Sequence, residues 1–109
     1  MTNLPNLQQI LQMGQQMQAR LAQMQGDLAQ KTVTVSVGGG MIEITADGKG
    51  EVRKVTVEPS MLASGDVELL EDLVAAAVNE MRRRVAELAD SEMRKVTGGA
   101  PVPFGLPGL

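Results

Sequence analysis

Residues 37–58 read VGGGMIEITADGKGEVRKVTVE, in which two glycine-rich turns separate short stretches of alternating apolar and polar residues. Glycine accepts positive φ at little cost, so turns of this kind join neighbouring antiparallel strands. The segment therefore predicts a three-stranded antiparallel β-meander, with Gly40 and Gly48 at backbone angles that only glycine tolerates well. The two turns are Gly38-Gly39-Gly40 and Asp47-Gly48-Lys49-Gly50.

Alternation within the strands predicts a sheet with one apolar face and one largely wet face. The third strand, about residues 51–58, alternates less cleanly, and Pro59 ends it. In that strand we expect Val55 and Val57 to share a face with Arg53, and Val52, Lys54 and Thr56 to form the other. The first two strands present Val33, Val35, Val37, Ile42, Ile44 and Ala46 on the apolar face.

A long amphipathic helix is predicted before the meander, over about residues 4–30. Its apolar residues recur in steps of three and four, a heptad seam that suits packing against another helix, in the same chain or in a second subunit. The opposite face is mostly glutamine, and a second interpretation is that this polar face touches DNA. The residues predicted to serve dimerisation are Leu7, Ile10, Met17, Leu21, Met24 and Leu28.

A second long helix follows the meander. Ser64-Gly65-Asp66 supplies a break and an N-cap, and an apolar stripe then continues to about Thr97, with Gly98 just beyond the helix. A helix of about thirty residues is about 45 Å long, which exceeds the width of the sheet, so part of it should project.

Charge along this second helix is polarised. Acidic residues without any basic ones occupy the segment from Glu58 to Glu80, whereas basic residues dominate after Met81. One interpretation is a solvated helix stabilised by its dipole and by i, i+4 ion pairs. The other is a basic strip, since the run Arg82-Arg83-Arg84 exceeds what those pairs need. The pairs expected are Glu80/Arg84, Arg83/Glu87 and Asp90/Arg94.

A chain of 109 residues whose only aromatic residue is Phe104 predicts one domain with a small core. Small cores are often stabilised by association of subunits, so we expect a homodimer. The segment 98–109, GGAPVPFGLPGL, alternates glycine and proline and is expected to be a flexible tail after a folded domain of residues 1–97.

Enzyme chemistry finds no support in this sequence. Cysteine and histidine are both absent, which removes thiol nucleophiles, histidine acid–base chemistry and nearly every transition-metal site. Gly48-Lys49 is followed by glycine rather than Ser or Thr, so the turn is not a P-loop. We expect no catalytic residue, metal or cofactor, and we interpret Glu43, Asp47 and Glu51 as surface charge. No secretion signal or membrane span is evident, which predicts a cytoplasmic protein.

A family resemblance is carried by the Gln- and Met-rich first helix, Gly38-Gly39-Gly40, residues 47–52 (DGKGEV), residues 66–79 (DVELLEDLVAAAVN) and Gly98-Gly99. Together these segments resemble the YbaB/EbfC family of bacterial nucleoid-associated proteins. The resemblance implies an α+β fold, a tweezer-like homodimer whose protruding helices contact duplex DNA and alter its organisation, a place in the nucleoid, and no membrane or small-molecule partner.

The basic residues are the predicted DNA contacts. They have to act within a chain of net charge −3, so only local basic patches could bind phosphates. The first helix also departs from the family pattern, in which several lysines accompany the glutamines. An alternative function is an interaction or scaffold protein that binds a protein partner through the Met-rich first helix and the tail. The predicted DNA-contacting residues are Arg20, Arg82, Arg83, Arg84, Arg94 and Lys95.

Overall fold

The structure, a computed structural model, describes residues 6–98. The predicted α+β order of long helix, antiparallel meander and long helix is confirmed, with one additional short helix. Apart from Gly98, the predicted flexible tail lies outside the described residues. The elements are α1 (Leu7–Gln30), β1 (Thr32–Val37), β2 (Ile42–Asp47), β3 (Val52–Val57), α2 (Pro59–Ala63) and α3 (Val67–Val96).

The three strands form one antiparallel sheet in the order β1-β2-β3. In β1 and β2 the predicted faces are confirmed, because Val35 lies opposite Ile44 and both are buried. In β3 the predicted faces are wrong at one end. The register shifts between Lys54 and Val52, so Arg53 is the extra residue of a β-bulge and Val52 lies opposite the buried Ala46. Val52 and Val55 therefore share the core-side face.

The two glycine turns differ in what they require of glycine. Gly40 has a φ of 97°, as predicted, whereas Gly48 is not among the glycines with positive φ and that prediction is wrong. At the second turn the positive φ belongs to Gly50, at 90°. Gly48 is needed for a different reason, since a Cβ built on it would lie 2.5 Å from the carbonyl oxygen of Leu28.

The core lies between α3 and part of the sheet. α3 packs across β1 and β2, and α1 packs on α3. β3 is left open, since the core-side residues Val52 and Val55 are 44% and 53% exposed. The apolar face of the sheet thus continues beyond the part that α3 covers. The buried apolar residues of this core are Val33, Val35, Ile42, Ile44, Ala46, Ala77 and Met81.

α1 begins later than predicted and only its second half is packed. Asn6 caps it in a capping box with Gln9, which places the first helical residue at Leu7 rather than near residue 4. Met24 and Leu28 are buried, whereas the helix from Leu7 to Met17 is exposed along its whole surface. The first half of α1 is therefore an arm that projects from the body of the chain.

The segment between the sheet and α3 contains a helix that the sequence interpretation missed. α2 starts with Pro59 at its first turn, a position that suits proline, and it buries Met61. Asp66 then caps α3 as predicted, accepting a hydrogen bond from the backbone N–H of Leu69. The helix ends at Val96 with Thr97 as its C-cap, also as predicted.

Candidate nucleic-acid interface

The arginine run Arg82-Arg83-Arg84 does not form a single strip. Successive residues of an α-helix are rotated by about 100°, so three in a row point to different sides. Arg82 lines a cleft with the β2–β3 turn, whereas Arg84 lines a cleft with Thr32 and Thr34 of β1. Neither Arg82 nor Arg84 makes an ion pair with any residue of the described chain.

Arg83 and Arg94 are held by neighbouring carboxylates. Arg83 lies 2.5 Å from oxygens of both Glu80 and Glu87, and Arg94 lies 2.7 Å from Asp90. The predicted pairs of Arg83 with Glu87 and of Arg94 with Asp90 are confirmed, but Glu80 pairs with Arg83 instead of Arg84. The hydrogen bond from Arg83 lowers the pKa of Glu80 below its ordinary value.

Lys95 belongs to a three-residue cluster that joins the two long helices. The Nζ of Lys31, directly after α1, donates a hydrogen bond to Glu92, and the Nζ of Lys95 lies 3.2 Å from the same carboxylate oxygen. Glu92 is buried, and its hydrogen bond from Lys31 lowers its pKa despite that burial. The same contact raises the pKa of Lys31. The sequence interpretation missed Lys31, although a lysine at a helix C-terminus is a recognisable signal.

Arg20 and Lys95 are the predicted DNA contacts that the structure brings together. They line a shallow cleft of about 230 Å³ between α1 and α3, together with Asp27 and Glu92. Arg84 precedes Lys95 by eleven residues on α3, a spacing that returns to nearly the same side of a helix. These cations lie with Lys31 on one side of the helix pair, where the clefts are also lined by the carboxylates of Asp27, Glu87 and Glu92. We call the four cations of this side the joint surface: Arg20, Lys31, Arg84 and Lys95.

The cleft that contains Arg82 has a different character. It has a volume of about 580 Å³ and lies between the β2–β3 turn, α1 and α3. Its cations are Arg82 and Lys49, and no carboxylate lines it. The apolar part of the lining comes mainly from Leu28, Met81, Val85, Ala86 and Ala89.

Asp47 is not the surface charge that was predicted. It is buried and accepts hydrogen bonds from the backbone N–H groups of Lys49 and Glu51 and from the guanidinium of Arg53. Burial opposes ionisation, but the hydrogen bonds from Glu51, Lys49 and Arg53 outweigh it and lower the pKa of Asp47. Asp47 therefore organises the turn and the bulge, whereas Glu43 and Glu51 are exposed as predicted.

The predicted dimerisation stripe of α1 is divided between two environments. Leu7, Ile10 and Met17 are exposed on the arm and Leu21 is half-buried. Met24 and Leu28 are already buried within the chain, so they cannot form a surface for a second subunit without unpacking.

The described residues offer neither a metal site nor a membrane span. Between Asn6 and Gly98 no three acidic side chains lie close enough to hold a metal ion. In the same part of the chain, none of the helices combines the length and the apolar character needed to cross a bilayer.

Comparison with known proteins finds one matching family and several similar proteins. A model of the YbaB/EbfC DNA-binding family matches residues 3–100. A protein of Ruminiclostridium cellulolyticum called nucleoid-associated protein is 46% identical over 104 residues, which cover 95% of this chain and 88% of that protein. A nucleoid-associated protein of Gluconacetobacter diazotrophicus is 40% identical over 101 residues, covering 93% of this chain and 94% of that protein.

The fold also matches a solved structure. The crystal structure of an uncharacterized protein from Helicobacter pylori superposes with a TM-score of 0.79 and 21% sequence identity. The match covers 87% of this chain and 100% of the other. At this identity the likeness concerns the fold alone.

Proposed function

Because the chain belongs to the YbaB/EbfC DNA-binding family, we propose that it is a nucleoid-associated protein that binds duplex DNA as a homodimer and alters DNA organisation. The observation that carries this proposal is the family match over residues 3–100, which includes every element of the fold. Its place of action is then the bacterial nucleoid, in the cytoplasm. Nothing in this function requires a catalytic residue or a cofactor.

The DNA-contacting surface in this proposal is the joint surface, with the ion-paired Arg83 and Arg94 beside it. Arg20, Arg84 and Lys95 supply charge near the point where α1 and α3 meet. Arg82 lies on another side of α3 and is not part of this surface. Side chains of this kind neutralise phosphates, which gives affinity without reading base sequence. We therefore expect weak sequence selectivity.

The length of the two long helices supports a tweezer-like mode of binding. α1 and α3 contain 24 and 30 residues, and the long axis of the molecule measures 76 Å against 22 and 17 Å for the other two. The arm of α1 projects from a body that α3 and the sheet build. In a dimer two such arms would extend from a shared centre and could flank a duplex between them.

A homodimer is supported by the open half of the sheet. Val52 and Val55 on β3 continue the core-side face, yet no element of the described chain covers them. An open edge strand with an apolar face is a site that proteins usually cover or pair. A second copy would supply that cover.

A salt titration of duplex binding tests the proposal. Fluorescence anisotropy with a labelled duplex at about 50 to 200 mM salt should show log affinity falling linearly with log salt, by about 0.9 for each phosphate contact. Duplexes of unrelated sequence should bind within a few-fold of each other. A parent protein that binds no duplex even at about 50 mM salt contradicts DNA binding.

A second candidate function is favoured by the exposed arm. Leu7, Ile10 and Met17 form an apolar stripe with no partner in residues 6–98. A scaffold protein could use this stripe to bind an amphipathic helix of another protein. That function predicts little DNA affinity in the parent and partner binding that is lost on Met17→Gln but retained in Arg84→Gln.

A further inference from the structure

The arm of α1 extends beyond the end of α3. Val96, the last residue of α3, lines the same cleft as Arg20. The helical residues before Arg20, from Leu7 to Ala19, therefore lie past the point where α3 stops, and at 1.5 Å per residue they span about 20 Å. Every one of these residues is exposed, so within residues 6–98 nothing covers this part of the helix.

The apolar seam of α1 continues along this exposed arm. Its residues recur in steps of three and four, and its later members, Met24 and Leu28, are buried. Leu7, Ile10 and Met17 on the arm are 72%, 51% and 43% exposed. The seam is thus covered near the body of the chain and open along the arm. We call its part before Met24 the arm stripe: Leu7, Ile10, Gly14, Met17 and Leu21.

Glycine occupies the middle of the arm stripe. Gly14 lies inside a helix, where glycine is less stable than alanine, and a Cβ built on it meets nothing within 4 Å. Packing within the described chain therefore gives no reason for the glycine, whereas the backbone of a second helix could approach it closely. Leu7 and Leu21 lie seven residues before and after Gly14. Ile10 lies four residues before it and Met17 three residues after it, so the stripe is nearly symmetric.

Charge and symmetry identify the partner that suits this stripe. Residues 6–19 read NLQQILQMGQQMQA and contain no charged side chain. The arm therefore cannot neutralise phosphates, and two identical arms do not repel each other. A two-fold axis places symmetric residues of two copies opposite each other. A stripe that is symmetric about Gly14 is thus complementary to a second copy of itself that runs in the opposite direction.

The body of the chain also favours the antiparallel direction. It lies at the C-terminal end of α1, where Met24 and Leu28 are buried. Two parallel arms would bring two bodies to the same end of the pair, where each would obstruct the other. Two antiparallel arms place the bodies at opposite ends, so the helices meet only along their exposed stretch.

We propose that arms of different dimers pair antiparallel through the arm stripe, crossing at Gly14, and so join one dimer to another. Dimers that are bound to separate stretches of duplex then hold those stretches together. This inference deepens the proposed function and rests on it for the role in DNA organisation. The pairing of the arms itself requires no DNA.

The size of the contact sets its strength. The arm stripe from Leu7 to Leu21 covers about 22 Å of helix. Interfaces that bury less than about 1,200 Å² belong mostly to weak and transient complexes, and a single pair of such short helices is of that class. Dimers should therefore remain separate at low micromolar concentration and associate at high micromolar concentration. Several dimers on one duplex raise the effective concentration of arms, so bridging needs no tighter contact.

A matched pair of variants tests the stripe without DNA. Ile10→Gln removes an apolar side chain from the stripe, and Leu11→Gln removes an isomeric side chain that is similarly exposed but lies about 100° away around the helix. Each antiparallel pair contains Ile10 twice, so Ile10→Gln should raise the dissociation constant between dimers about tenfold or more. Leu11→Gln should change it by less than about threefold.

Gly14→Ala and Gly26→Ala form a second matched pair. Both glycines lie in α1 with nothing within 4 Å of a new Cβ, so both variants should be at least as stable as the parent. Only Gly14→Ala places a methyl group at the crossing. It should weaken the association of dimers several-fold, whereas Gly26→Ala should leave it unchanged. Equal association of these two variants overturns the crossing at Gly14.

Sedimentation equilibrium from low to high micromolar concentration measures this association, and circular dichroism shows whether each variant folds. A parent that stays dimeric over the whole range overturns the pairing, as does an Ile10→Gln variant that associates as strongly as the parent. Association that appears only after deletion of residues 99–109 also overturns it, because the tail would then occupy the arm stripe in the parent.

A bridging assay relates the pairing to DNA. One duplex is immobilised on beads and a second, labelled duplex is added with the protein. The parent should retain the labelled duplex on the beads. Ile10→Gln should bind a single duplex as the parent does but retain several-fold less of the second one, and equal retention overturns bridging by the arms. Parent dimers that associate but bind no duplex support the pairing and contradict the proposed DNA function.

Discussion

The backbone nitrogen of Gly48 lies 2.8 Å from the carbonyl oxygen of Leu28, so the β2–β3 turn is hydrogen-bonded to the last turn of α1. The same N–H lies 2.9 Å from the carbonyl oxygen of Lys31. Both acceptors belong to the end of a helix, where carbonyl groups lack intrahelical partners. Gly48 thus fixes the sheet to the C-terminal end of α1.

Gly48→Ala should destabilise the fold. The new Cβ would lie 2.5 Å from the carbonyl oxygen of Leu28, a backbone atom that cannot move without shifting α1. Overpacking of this kind costs roughly 1–3 kcal/mol. Gly14→Ala is the control, because that site is within α1 and has nothing within 4 Å of a new Cβ. It should stabilise the helix by roughly 0.5–1 kcal/mol. Equal denaturant midpoints for the two variants would show that Gly48 is not in close contact with Leu28.

Stability should fall in acid partly because of Glu92. The hydrogen bond from Lys31 lowers the pKa of the Glu92 carboxyl in the folded state below its ordinary value of 4.5. The unfolded chain then binds more protons than the folded one as the pH drops, so this contribution is present above pH 4.5 and is lost as the pH falls through the folded pKa. Glu92→Gln should flatten the pH dependence of the melting temperature below pH 4.5. A slope that matches the parent would exclude a role for Glu92.

The parts of the fold that could be predicted from sequence are those set by local chemistry. Strand alternation and glycine turns identified the faces of β1 and β2, and the cap at Asp66 identified the start of α3. The bulge at Arg53 could not be predicted in this way. It lies where the guanidinium of Arg53 contacts the buried Asp47, and alternation along the strand carries no sign of that contact.

The candidate site was predictable in composition but not in arrangement. Charge alone identified the arginines of α3 and Lys95, yet only the position of the sheet shows that Arg82 lines the cleft at the β2–β3 turn and that Arg84 lines the cleft beside β1. The heptad pattern of α1 likewise gave the apolar side of the helix. It could not show that burial is confined to Met24 and Leu28, because that depends on where α3 ends against α1.

Arg84→Gln should weaken DNA binding more than Arg83→Gln. Arg84 has no ion-pair partner in the described chain, whereas a phosphate that binds Arg83 must compete with Glu80 and Glu87 at 2.5 Å. In a dimer, loss of one phosphate contact per subunit should reduce the salt slope by about 1.8. Anisotropy titrations at several salt concentrations measure this, with circular dichroism as the check on folding. A larger loss for Arg83→Gln would place the contact surface on the other side of α3.

Met17→Gln and Met24→Gln separate the two possible dimer surfaces. Met24 is 6% exposed, so its replacement buries a polar amide and should cost about 2 kcal/mol or more, while Met17, at 43% exposure, should tolerate the change. If the heptad stripe of α1 joins the subunits, Met17→Gln should dissociate the dimer without lowering the stability of the chain. The open face of β3, where Val52 and Val55 are exposed, leads us to expect an unchanged dimer mass for Met17→Gln. Light scattering at low micromolar concentration decides between the two surfaces. A folded Met17→Gln monomer would show that the subunits associate through α1.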